Sequence, residues 1–63
     1  MNPSLIHLAR QREHLRAELS RTRRNSIQAS TRGDFRGVAK LTLEAARLNR
    51  EIESIQDKEL LAG

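Results

Sequence analysis

The sequence predicts an all-α fold: an antiparallel two-helix hairpin that pairs with a second copy into a four-helix bundle. Three observations lead there. Val38, Leu41, Ala45, Leu48, Ile52 and Ile55 recur at alternating spacings of three and four, an unbroken heptad stripe that a helix must lay against another helix. Gly33-Asp34 then interrupts a helix-favouring sequence near its middle; a residue free to take positive φ, followed by a capping side chain, ends one helix and begins the next. Finally, 63 residues without a cysteine make too short a chain for a large core and exclude disulfides. Oligomerisation is left as the source of further burial.

The first helix is expected over about residues 3–31. Asn2 suits an N-cap, and Pro3 suits the first helical position, where its missing amide would have had no partner anyway. Leu5, Leu8, Leu15 and Leu19 mark the buried stripe, with Arg12 in the gap. The stripe runs on through Thr22, Ser26 and Ala29, where the side chains shrink. Asn25-Ser26 and Ser30-Thr31 are weak helix formers, so a stop near Asn25 is the competing reading. Arg12 is expected to pack its stem and keep its guanidinium in water, with fixing of register as the alternative role.

A loop as short as Arg32-Gly33-Asp34 makes its neighbours antiparallel. The second helix is expected over about 35–61, giving one domain across 1–63. Phe35 is placed to cover the closed end of the hairpin, and Gly37 to let another backbone approach. Residues equidistant from Gly33 lie level, so Leu15 and Leu19 face Leu48 and Ile52, while Thr22 and Ser26 oppose Leu41 and Val38. The polar half of one stripe therefore meets apolar residues of the other.

Apolar side chains also lie outside the seam: Ile6, Ala9 and Ile27 on the first helix, and Ala39, Leu43, Ala46, Leu60 and Leu61 on the second. Several fall beside the stripe and widen it, which points to a second subunit and a two-fold dimer. Glu44 and Glu51 flank the second stripe opposite Gln11 and Glu18, so their cationic partners are expected on another subunit, with a plain solvated edge as the competing reading.

Charge is unevenly placed in a chain of net charge +4 and pI near 11.1. Residues 1–33 carry seven arginines against two glutamates, and residues 34–63 carry five basic against six acidic side chains, so the halves are net +5 and −1. Such asymmetry suggests an acidic partner, whether nucleic acid or protein. His7, Arg10, His14, Arg21, Arg24, Asn25, Gln28 and Arg32 project within one arc opposite the leucine stripe, over about 35 Å. Arginine forks match phosphate oxygens. The arc holds no aromatic to stack on an exposed base, and a plain solvated face is the competing reading.

Catalysis and metal binding find no support. His7 and His14 are seven residues apart, whereas ligand pairs on a helix need spacings of three or four. No Gly-rich phosphate loop, activated nucleophile or pair of catalytic acids is present, so no enzyme, cofactor or small-molecule substrate is expected. Arg32-Gly33-Asp34 spells an adhesion tripeptide, but turn chemistry accounts for all three residues. No apolar run approaches membrane-spanning length and no signal-peptide pattern opens the chain. The expectation is a cytoplasmic chain that does not contact membranes.

The outline of two helices, a tight turn and two-fold pairing is similar to the Rop family of plasmid copy-number modulators. Those are dimeric helical hairpins that bind paired RNA loops through one helix face. The likeness is one of architecture and rests on no shared motif. From the residues, the expected function is a non-enzymatic protein-interaction or assembly module. The alternative is a small RNA- or DNA-binding regulator using the arginine-rich face of the first helix.

Overall fold

The computed structural model describes residues 3–62. Helix α1 spans Pro3–Thr31 and α2 spans Phe35–Ala62, and α2 packs back along α1 as an antiparallel hairpin. Asn2, given an N-capping role by the sequence, lies outside the described residues. The hairpin is a thin slab of 48 × 14 × 9 Å between Cα extremes. Its radius of gyration is 14.5 Å, against about 11 Å for a rounded domain of this length.

The reversal is built by local hydrogen bonds. Gly33 takes φ of 74°, a conformation that costs glycine nothing and other residues roughly 1 kcal/mol or more. This lets the Asp34 amide donate to the Ala29 carbonyl at 2.9 Å and the Gly33 amide donate to the Ser30 carbonyl at 3.0 Å. Together they form a Schellman motif that satisfies carbonyls the end of α1 would otherwise strand. Asp34 then caps α2: its Oδ1 accepts from the Gly37 amide at 3.0 Å, and its carbonyl accepts from the Val38 amide at 3.0 Å. One residue thus closes one helix and opens the next.

Two sequence expectations at the turn are corrected. A Cβ at Gly37 would stand 2.4 Å from the Asp34 carboxylate, so what the glycine first makes room for is the capping side chain rather than another backbone. Phe35, expected to cover the closed end, is 80% exposed. The Asp34 cap fixes the entry of α2 so that its first residue points away from α1.

α1 runs unbroken through Asn25-Ser26 to Thr31. Thr31 Oγ1 donates back to the Ile27 carbonyl at 3.0 Å, and Thr42 does the same to Val38 at 2.8 Å, so these hydroxyls find partners within the helix. What holds this half in place is packing. Thr22 and Ala29 are buried, Ala29 to 1% exposure, and Ser26 is half-buried. Small side chains there let α2 approach closely near the turn.

The core is short and lies at mid-length. Leu19, Leu48 and Ile52 form its centre with Leu15 and Ala45 packed against them. Leu48 is 1% exposed, and Ile55 is buried one turn beyond Ile52. Leu5, Leu8, Leu15, Val38, Leu41 and Ala45 are only half-buried. Replacing Leu48 with alanine should remove about 3 kcal/mol, enough to unfold so small a scaffold. Circular dichroism should show Leu48→Ala losing most helix at 25 °C, while Leu43→Ala, at a 72% exposed position, leaves the spectrum unchanged. Asp34→Ala should fall between them, costing about 1 kcal/mol.

Candidate functional site

The seam between two helices leaves a groove on each flank of the hairpin. One is lined by Gln11, His14 and Leu15 from α1 and Glu51, Ser54, Ile55 and Lys58 from α2. The other is lined by Arg16, Leu19, Ser20 and Arg23 against Asn49, Ile52, Glu53 and Gln56. Toward the turn this second groove continues between Arg23, Ser26 and Ile27 and Leu41, Thr42 and Ala45. Helical periodicity separates the two sets, because residues one or four positions after a stripe residue fall on one flank of it and those one or four positions before it fall on the other.

The flanks differ in how their charges are used. On the first, His14 Nε2 lies 2.9 Å from Glu18 Oε1, one helical turn away. Arg47 binds both Glu44 and Glu51 on its own helix, its Nε donating to Glu44 Oε2 at 3.2 Å. The hydrogen bond from Arg47 holds the Glu44 carboxyl below the usual glutamate range, and the two carboxylates raise the Arg47 guanidinium above its ordinary value. A depressed carboxyl stabilises the fold above its unfolded pKa, and that contribution disappears as pH falls through the lowered value. All three side chains are well exposed, so the effect is small and screened by salt. The expectation that Glu44 and Glu51 need cations from another subunit is therefore corrected. The spacing of 44, 47 and 51 carried this signal, since residues three and four apart are neighbours on a helix.

On the second flank Arg16, Arg23 and Glu53 are exposed and line one groove. No ion pair forms among them. Beside them stand apolar groups left open to solvent: Ile27 at 67% exposure, and Leu41 and Ala45 half-buried on the groove floor.

Apart from His14, which lines the first groove, the basic arc of α1 lies away from α2. His7, Arg10, His14, Arg21, Arg24, Asn25, Gln28 and Arg32 are all exposed. Among the described residues, His14 is the one member of the arc with an ion-pair partner. The side chains are spread along a convex rod, so they converge on no pocket. Among the described residues, no three His, Asp or Glu side chains gather to hold a metal ion. Nor is any helix among the described residues long and apolar enough to cross a membrane.

Arg12 is the position where the sequence reading and the structure part most clearly. Its guanidinium is not simply solvated: Nη1 lies 3.3 Å from Glu59 Oε1, with the two side chains 27% and 19% exposed. Among the described residues this is the one ion pair that joins α1 to α2. The contact is close but poorly aligned, leaving Arg12 Nε and Glu59 Oε1 without hydrogen-bond partners. Side chains on a helix lean toward its N-terminus, so Arg12 reaches toward the open end and meets Glu59 rather than the residues level with it.

No protein-family model matches this chain, and no curated protein or solved structure matches it.

A partly buried and imperfectly bonded pair contributes less than well-packed apolar groups, yet removing one partner strands the other. Arg12→Leu alone should lower stability by about 1 kcal/mol, while Arg12→Leu with Glu59→Leu should match or exceed the parent. Thermal melts at one fixed protein concentration measure both.

Proposed function

We propose that this chain is a non-enzymatic interaction and assembly module whose hairpins pair into a homodimeric four-helix bundle. The observation that carries this is unfinished burial. Of the apolar stripe residues, Leu19, Leu48, Ile52 and Ile55 are buried within the hairpin, while Leu5, Leu8, Leu15, Val38, Leu41 and Ala45 remain half-open. Ile27, Phe35, Leu43, Leu60 and Leu61 are between 67% and 89% exposed. A hairpin with so few buried side chains is marginal by itself, and covering a second flank is the most direct way to stabilise it. A long, flat helical face suits a two-fold partner. In a cytoplasmic setting, such a module acts by bringing together whatever its termini or outer faces hold. Sedimentation equilibrium should give twice the 7.2 kDa chain mass at micromolar concentration. A 7.2 kDa species persisting to about 1 mM, where only affinities weaker than about −4 kcal/mol escape detection, would withdraw the reading.

A second reading is favoured by the unpaired arginines of the outer arc. Arg10, Arg21, Arg24 and Arg32 are exposed with no carboxylate partner among the described residues, which leaves their forks available for phosphate oxygens or acidic protein side chains. For nucleic acid, binding to mixed RNA should be measurable at low salt and weaken steeply as salt rises. Arg21→Glu with Arg24→Glu should then reduce it at least tenfold without changing helix content. No binding at low salt would remove this reading.

A further inference from the structure

We infer that the groove carrying Arg16, Arg23 and Glu53 is the docking face for a second copy of this chain, stacked with both turns at the same end. The inference rests on the dimer reading above and adds which face is used and how the copies are oriented.

Charge separates this groove from the one on the other flank, and a second feature equips it to close an interface. The first is unspent charge of both signs. Arg16, Arg23 and Glu53 line it and form no ion pair among the described residues. The opposite flank has already paired His14 with Glu18, and Arg47 with Glu44 and Glu51, within single helices. The second feature is apolar surface, which the other flank also carries toward the turn at Leu41 and the 72% exposed Leu43. Leu41, Ala45 and the 67% exposed Ile27 line the turn end of the groove. Helical spacing places the 80% exposed Phe35 and Leu60 on the same flank of α2. The slab's face of 48 × 14 Å between Cα extremes amounts to about 700 Å², close to the roughly 800 Å² that each partner of a standard interface contributes.

Charge then selects the orientation. If the two copies stacked with turns at opposite ends, α1 would lie on α1, and Arg16, near the middle of its helix, would sit almost on its own mate. Like charges opposed across an interface disfavour that arrangement. With turns at the same end, α1 lies on α2 of the other copy. Residues equidistant from Gly33 are then level, which brings Arg16 within about one helical turn of Glu53 in the second copy. The same stacking sets Ile27 toward the Phe35–Thr42 stretch and Ala9 toward Leu60. Opposite charges meet at mid-length and apolar groups meet at both ends. The two-fold axis generates each of these contacts twice.

The test is a charge swap read by sedimentation equilibrium on the full chain. Arg16→Glu and Glu53→Arg each place two like-charge pairs across the interface, so each variant alone should dimerise about tenfold more weakly. Mixed in equal amounts, the two should form a heterodimer as tight as the parent dimer to within about threefold. In that species both crossing pairs are opposite in sign again, and no contact within one chain can produce the rescue. Ser54→Arg, in the other groove, should leave the parent dimer unchanged. Both reversed positions are exposed, and circular dichroism verifies that helix content is kept. A parent dimer that the two reversals do not weaken, that mixing does not rescue, or that Ser54→Arg disrupts overturns this face and orientation while leaving the dimer reading intact. A monomeric parent chain overturns both.

Discussion

One contact set governs this molecule: Leu48 and Ile52 of α2 against Leu19 of α1, with Leu15 and Ala45 at the margin. Neither helix has a reason to persist without it. Helical propensity alone gives marginal stability in water, and most helix stability in proteins comes from packing an apolar face. α1 depends on it most. Its polar and basic character runs nearly all round, and its buried surface beyond Leu19 is supplied by Thr22 and Ala29. α2 carries the stronger stripe and supplies the surface on which α1 orders.

That contact set exists within one chain because the turn places the stripes face to face. Gly33 accepts the one backbone conformation that reverses the chain here, and Asp34 uses its amide to finish α1 and its carboxylate to begin α2. With no residue to spare in the loop, register is set at the turn and carried outward. Arg12 and Glu59 then meet near the open end. Their contact is too poorly aligned to contribute much energy, but a misregistered pairing would strand two partly buried charges, so it disfavours slippage.

The fold was largely legible because its determinants are local. A three-and-four spacing, a glycine, and an aspartate placed to cap need no knowledge of distant residues. What stayed illegible depends on side-chain direction. Phe35 follows the turn in sequence, yet the cap geometry turns it outward. Glu59 was not readable as the partner of Arg12, because level-matching ignores the lean of long side chains toward the helix N-terminus. The Arg47 clasp, by contrast, is written in the spacing of 44, 47 and 51 alone. As for function, a helix face rich in arginine looks the same in sequence whether it meets phosphate or only water. The structure adds that those arginines lack carboxylate partners among the described residues, and that the flank carrying Arg16, Arg23 and Glu53 has charge and apolar surface still open.

The central claim is that α1 folds back on α2 of the same chain. Isotope-filtered NOE spectroscopy on an equimolar mixture of labelled and unlabelled protein tests this most directly, because it separates contacts within a chain from contacts between chains. The account predicts Leu19 methyl contacts to Leu48 and Ile52 within single chains. Finding those contacts only between chains, as in an extended or exchanged dimer, or finding none, would contradict it.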